Sequence, residues 1–315
     1  MNIVMLLRRA GCVVCLVAGL WTAGVASAQT PAVFATPDEA VQALRKAARA
    51  QDIGPLVALF GADGRDLAAS SDAATARQHR DVFVVAMREG WRLVDLAPDR
   101  KELVIGREAW PFPIPLVRGA AGWHFDAAAG RDEILSRRIG RNELAAIQTA
   151  RTCVIAQRVY ARDAHDGVPA GAYARRFASS PGKQDGLYWP VAEGQARSPL
   201  GELVADAAAH GRQTAEGGTG PVPFRGYYFR ILERQGRSAP GGAKNWVVDG
   251  AMTGGFGVMA WPAEYGVTGI MSFLVGSDGV VYERDLGTET ASAVTRVVEF
   301  EPGAPWQIVA ATVVP

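Results

Sequence analysis

The sequence predicts an α+β protein of two modules, each with helix packed on antiparallel sheet, the second built on a long helix at about 131–162. Three observations predict it. Helical spacing of apolar residues fills 36–89 and then gives way to short period-two segments. A second helical pattern covers about 131–162 without a proline. Strand patterns with turn residues between them then run to the C-terminal end. Helices followed by strands, twice over, is the order of an α+β chain, not of alternating βαβ units. The expected division is 1–28 as a leader, 34–130 as the first module and 131–315 as the second.

Composition excludes several classes. Among 315 residues, 49% are apolar and 21% charged, too apolar and too weakly charged for a disordered chain. Thirty-three Lys+Arg against 32 Asp+Glu leave +1, so no global positive field collects phosphates and no nucleic-acid partner is expected. Three cysteines do not make a disulfide scaffold.

The leader is read from Arg8 and Arg9, the apolar run Cys12 to Val25, and Ala26-Ser27-Ala28, with cleavage expected after Ala28. The run of about 14 residues is short against the ~20 that cross a bilayer. A signal peptide is therefore expected, with periplasmic or secreted localisation and no permanent membrane span after cleavage. Removing residues 1–28 takes away two arginines and no acid, so +1 becomes −1. It also leaves Cys153 as the one thiol, placed in a helical pattern as a small core residue.

In the first module, Thr36-Pro37-Asp38-Glu39 is a helix start: a capping Thr, Pro at the first helical position, and Glu completing a capping box. Ala40, Val41, Leu44, Ala47 and Ala48 then repeat on one face. Asp52-Ile53-Gly54 breaks the helix, Pro55 to Phe60 makes a short second one, and a third is expected from about Asp72 to Glu89. Trp91–Val94 and Glu102–Ile105 read as strands. Pro111, Pro113 and Pro115 alternate with Phe112, Ile114 and Leu116. Three residues without an N–H donor predict an edge strand or extended arm with its apolar residues on one side. Gly119–Gly122 turns the chain into Trp123-His124-Phe125.

In the second module the helix carries a stripe of Ile134, Leu135, Ile139, Leu144, Ile147, Val154, Ile155 and Val159, with Gly140 as a point of kinking or splitting. Arg131, Asp132, Glu133, Arg137, Arg138, Arg141 and Glu143 read as a solvated charged face. Turns follow at Ser180–Lys183 and Asp185–Pro190, a short helix near Pro199–Ala209, and a Gly/Pro-rich loop from Gly211 to Pro223. Strands are expected at Gly226–Leu232, Asn245–Val248, Gly255–Trp261, Gly269–Val275 and Val280–Glu283, the last two joined across Ser277-Asp278-Gly279. An amphipathic segment, Glu289 to Val298, closes the chain.

The first module, with its helix, short helix and closing Gly-Trp-His-Phe hairpin, resembles a cystatin-type or nuclear-transport-factor-two-like cone. The helix containing "RNELAAIQTARTCVIAQRVYA", followed by "GYYFRI", "AWPAEYGVTGIMSFLV" and "SDGVVYERDLG", resembles the globular half of a pilin or pseudopilin. The apolar polymerising helix of a pilin is replaced here by the first module, so this likeness implies a fold and not a pilus. End to end, "FATPDEAVQALRKAARAQD", "WPFPIPLV", "WHFDAAAGRDEILSRRIGRNELAAIQTAR", "SPGKQDGLYWP" and the strands just quoted resemble the bacterial exported family called domain of unknown function 2950. That resemblance implies architecture and export and brings no catalytic residues.

Familiar chemistries fail on their own requirements. His79, His124, His165 and His210 have no partner at metal-ligand spacing, so no metal or cofactor is expected. Asp163-Ala164-His165-Asp166-Gly167 lacks the oxygen pattern and the distant Glu of a calcium loop. Ser180-Pro181-Gly182-Lys183 matches Ser-x-x-Lys, but Pro-Gly favours a turn and the companion motifs are missing. Two acids sit among aromatics: Asp185 near Tyr188 and Trp189, and Glu264 between Trp261 and Tyr265. If they converge, they are the acid–base pair of a carbohydrate- or peptidoglycan-active hydrolase. The preferred reading is a non-catalytic binding or accessory module of the cell envelope, its partner an envelope protein or glycan. Its contact surface is expected at Trp110, Phe112, Tyr188, Trp189, Trp261 and Tyr265, beside Glu264. An envelope assembly factor is the third reading.

Overall fold

The computed structural model describes residues 30–50, 52–61, 73–191, 197–200 and 223–310, with the start of the third helix described by its backbone. The expected signal peptide with its cleavage at Ala28, His210, and most of the 199–223 helix and loop lie outside the described residues. The chain divides into two compact units, 1–127 and 128–315.

The first unit opens with α1 (Pro37–Arg49). Thr36 Oγ1 accepts from the Glu39 N–H at 3.2 Å, and the Glu39 carboxylate accepts from the Ala35 N–H at 3.1 Å. The reciprocal cap thus forms with its return bond one residue upstream of Thr36. Ala40, Val41, Leu44, Ala47 and Ala48 are all buried, as their spacing predicts. Next come α2 (Gly54–Phe60) and α3 (Ala73–Glu89). The strands are β1 (Trp91–Ala97), β2 (Arg100–Ile105), β3 (Trp110–Pro111), β4 (Leu116–Gly119) and β5 (Gly122–Phe125).

The antiparallel sheet runs β1-β2-β4-β5, with β3 also on β2. Register puts Trp91, Leu93, Leu103, Ile105, Leu116, Trp123 and Phe125 in rows on one face, which joins the core with α1 and α2. The opposite rows hold Arg92, Val94, Glu102, Val117 and His124, none of them buried. Val104, paired with Arg92 and Pro111, is the buried exception on that side. The proline-alternating segment is the edge strand and extended arm that its prolines predict. Pro111 pairs with Val104 and Leu116 with Lys101, so the arm runs along β2, and among the described residues β3 pairs with β2 alone. Pro113 and Pro115 lie where ladder pairing lapses, so their missing donors cost nothing. Phe112, Ile114 and Leu116 are buried together.

The second unit is built on α4 (Ala127–Tyr160), 34 residues and about 50 Å at 1.5 Å per residue. It runs unbroken through Gly140. Its buried stripe is Ala146, Ile147, Ala150, Cys153, Val154, Ala156, Gln157 and Tyr160. That corrects the expected stripe: Leu144, Ile155 and Val159 are exposed. The inner face of α4 interleaves small residues, Ala146, Ala150, Cys153 and Ala156, with Ile147, Val154, Gln157 and Tyr160.

The sheet strands are β6 (Tyr227–Leu232), β11 (Gly257–Pro262), β12 (Met271–Gly276), β13 (Val281–Asp285) and β14 (Gln307–Ile308). Their order is β14-β13-β12-β11-β6, antiparallel throughout. Between β6 and β11 lie two ribbons: β7 (Arg234–Gln235) with β8 (Lys244–Asn245), and β9 (Val247–Val248) with β10 (Ala251–Met252).

Both faces of this sheet are covered. On one, the Glu143 carboxylate of α4 accepts from the Ile270 and Met271 N–H groups, each at 2.9 Å. The Asn142 amide donates to the Thr268 carbonyl at 2.8 Å. The other face holds the rows of Arg230, Met259, Leu274 and Tyr282. There α5 (Thr290–Ala293) leads into a 3-10 turn and then Phe300. Arg230 donates to the carbonyls of Val294 and Val297, and Phe300 packs on Tyr282. Met259 and Leu274 are consequently fully buried, as are Val258 and Phe273 on the helix side.

Candidate functional site

A groove of about 510 Å³ opens in the second unit. Its walls come from segments that are short in regular structure, so side-chain and turn chemistry place them. Gln157 supplies the anchor. Its buried amide donates to the Ala174 carbonyl at 2.7 Å, and its side-chain oxygen accepts from the Ala174 N–H at 2.8 Å. This ties the chain after α4 back onto the helix, with Tyr173 bridged to Met252. Tyr173, Val168 and Pro169 give the groove its apolar lining, with Met252 fully buried behind it.

The 163–167 turn is closed by His165 and Val168, which exchange backbone hydrogen bonds. The His165 ring stacks on Tyr160 at 3.9 Å between centroids and forms a 2.9 Å hydrogen bond with the Tyr160 carbonyl. The Tyr160 hydroxyl donates to the Gln184 carbonyl, and burial, with Asp185 and Asp166 nearby, pushes its pKa up to about 12. Opposite, Asp249-Gly250 is the two-residue turn between β9 and β10. Both residues have positive φ, +47° and +80°. Asp-Gly suits that mirror-image turn because Gly has no Cβ and Asp tolerates the left-handed region.

Asp185 lines the groove, held by its own loop. Its carboxylate accepts from the Ser180 N–H at 2.7 Å and the Ser180 hydroxyl at 2.8 Å, and Arg176 lies 3.7 Å away. The Ser180 backbone bond, above all, holds its pKa below the ordinary value. Ser180 therefore anchors a turn, as its Pro-Gly context predicts, and the Lys183 N–H donates to the Ser180 carbonyl. Gly186 allows this loop to close: a Cβ there would lie 2.8 Å from the Ala178 and Ser179 backbone. Across the groove, Arg175 grips Glu233 through two bonds of 2.8 and 2.9 Å. Asp166 accepts from the Gln184 N–H at 2.6 Å.

The expected site residues do not form one surface. Glu264 is exposed and is not among the residues lining the groove with Asp185. Trp261 belongs to the sheet row of Tyr228 and Arg230, with the Tyr228 ring at 5.9 Å and the Arg230 guanidinium at 5.4 Å from its ring. Tyr265 instead donates to Asp285 at 3.2 Å, and Asp285 belongs to the row of Met271. Phe112 and Trp189 are buried, which corrects their placement on a contact surface. Phe112 packs edge-on with Phe125, and Trp189 lies against His165 and Tyr160. Tyr188 is half-buried, and Trp110, in the other unit, is exposed. Cys153 is buried with its thiol pushed up to about 12 by desolvation, which makes it inert.

Sequence reasoning missed Arg175, Glu233, Asp249 and Gln157. The Asp-Gly pair between Val247-Val248 and Ala251-Met252 carried a readable hairpin signal. Nothing local marks Arg175 as the partner of a residue 58 positions away. Among the described residues, no helix is long and apolar enough to cross a membrane, and no group of three or more His, Cys, Asp or Glu could hold a metal ion.

Fold and groove define a two-unit α+β protein with a charged cleft in its second unit. The chain belongs to the family described as "Protein of unknown function (DUF2950)", whose profile matches residues 31–309. No curated protein and no solved structure matches it significantly.

Proposed function

We propose that this is an exported, non-catalytic binding module of the cell envelope that takes its ligand in the groove of the second unit. One observation carries the reading. Of the four groove acids, Asp185 and Glu233 are already engaged, one by Ser180 and Arg176, the other by Arg175. A general acid needs a carboxyl whose pKa is raised toward neutrality, and Asp185 is shifted the other way. The groove is thus built as a shaped, polar-rimmed receptacle. The Arg8 to Ala28 segment supports export to the periplasm or exterior. The long helix followed by antiparallel sheet supports kinship of the second unit with pilin globular domains, and the first unit's helix-backed meander supports the cone-like comparison; both concern architecture only.

The test uses the chain lacking residues 1–28 and soluble peptidoglycan fragments as probe. Calorimetric titration should show saturable binding, lost on Ala251→Trp, which fills the groove, and prolonged incubation should leave the fragments intact. Hydrolysis abolished by Asp185→Asn would overturn the reading in favour of the hydrolase. Undiminished binding by Ala251→Trp would move the ligand elsewhere.

A further inference from the structure

We infer that the outward face of α4 is a docking surface for an anionic phospholipid bilayer, which it meets lengthwise as a peripheral contact. The inference goes beyond the groove and does not rest on it. Arg141, Leu144, Gln148, Arg151, Ile155 and Arg162 recur at spacings of three, four or seven residues, so they form one line opposite the buried stripe. Val159 borders it. Leu144, Ile155 and Val159 are 49%, 60% and 39% exposed. Leu144 and Ile155, like Arg151 and Arg162, stand about three turns apart, so the line keeps to one side of the helix for about 27 Å between Arg141 and Val159. Its charge has one sign. From Arg138 to Arg162 the chain carries five arginines and one acid, Glu143. The Glu143 carboxylate is turned to the sheet, where it accepts from the Ile270 and Met271 N–H groups. Among the described residues, Arg138, Arg141, Arg151 and Arg162 enter no ion pair, and Arg158 donates to a neutral acceptor, the Ser277 carbonyl, at 2.7 Å.

Charge complementarity selects an anionic occupant, and the pattern along the line selects a bilayer. A second copy of the chain does not fit. Antiparallel pairing of α4 with itself would set Arg151 near Arg151 and Arg141 near Arg162, like charge against like. A partner helix fits poorly, because it packs on an unbroken apolar ridge and here Gln148 and Arg151 interrupt the ridge between Leu144 and Ile155. A bilayer has no register to match. Lipid phosphates accept the forked donors of each arginine wherever it falls along the surface, and the apolar side chains between the arginines reach the acyl boundary. The neutral hydroxyls beside the line are already satisfied within the helix. Thr152 donates to the Gln148 carbonyl at 2.8 Å and Thr149 to the Ala145 carbonyl at 2.7 Å, so covering them strands no donor.

Vesicle flotation across a lipid titration tests this with the chain lacking residues 1–28. The probes are vesicles of phosphatidylcholine alone and of phosphatidylcholine mixed equally with phosphatidylglycerol. The chain should bind the anionic vesicles about tenfold or more tightly than the neutral ones, and more weakly as salt rises. Arg151→Gln/Arg162→Gln should lose about tenfold on the anionic vesicles, and Ile155→Ser about threefold. All three positions are exposed, so the fold survives the changes. Arg92→Gln/Arg296→Gln removes the same charge from exposed sites off the line and should change affinity by less than about twofold. Ile155→Cys carrying an environment-sensitive dye should shift its emission to the blue on the anionic vesicles, while buried Cys153 escapes labelling. Equal affinity for the two vesicle types, an equal loss in the control pair, or unchanged dye emission overturns the inference. So does binding of a polyglutamate peptide, lost in Arg151→Gln/Arg162→Gln, without binding of vesicles: the face would then serve an acidic protein.

Discussion

The two units solve the same packing problem differently. The first covers one face of its sheet, leaving Arg92, Glu102, Val117 and His124 in unburied rows. The second covers both faces, α4 on one and the C-terminal segment on the other, so β11 and β12 are buried along nearly their whole length. A one-sided sheet can alternate polar and apolar residues, whereas a two-sided sheet needs continuous apolar strands. The second unit sets its sheet deep and hangs the loops between α4 and β6, and between β6 and β11, around the groove.

The sharpest way to break this comparison is a matched pair of truncations. Leu274→Ala should cost about 2–5 kcal/mol, because the C-terminal segment seals that face. Val117→Ala should fall within about 0.5 kcal/mol, as for a substitution away from the core. Urea denaturation of the two variants reads both, and similar losses would mean that the first sheet is also covered on its second face. Next in size is Gln157→Leu. It strands the Ala174 N–H and carbonyl in a buried setting, for an expected loss of about 2–3 kcal/mol. It should also weaken ligand binding, since the 161–175 segment loses its tether.

A smaller effect concerns pH. Asp185 is held below the ordinary 3.8, so its contribution is present above that value and is lost as pH falls through the lower folded value. Asp185→Asn should therefore be less stable than the parent at pH 7, and the gap should close as pH drops below about 4. Thermal melts of both proteins from about pH 7 to about pH 3 check this; a gap that widens toward acid would contradict the assigned shift. The smallest is Thr36→Ala. Loss of the cap should cost about 1 kcal/mol and be read as a modest shift in urea midpoint, in the first unit.

What was legible follows from range. The α1 cap, its buried face and the β4–β5 hairpin depend on residues within a few positions of one another, and spacing shows them. The inner face of α4 was only partly legible: Ile147 and Val154 are buried as expected, but Leu144, Ile155 and Val159, which outrank alanine in hydropathy, are exposed while Ala146, Ala150 and Ala156 are buried. Trp189 and Phe112 were assigned outward for a related reason: an aromatic in a Pro/Gly-rich segment looks the same in sequence whether its loop folds in or out. The groove itself was partly visible, in Asp185, and otherwise hidden.

By itself the sequence determined the fold class, the order of elements and the turns, because backbone propensity, capping and period are local properties of the chain. The tertiary structure alone decided which carboxylate meets which guanidinium group. Arg175 meets Glu233 across 58 residues, and Arg176 takes Asp185. A charge is neutralised by what lies within a few ångströms in space, and separation along the chain does not predict that distance.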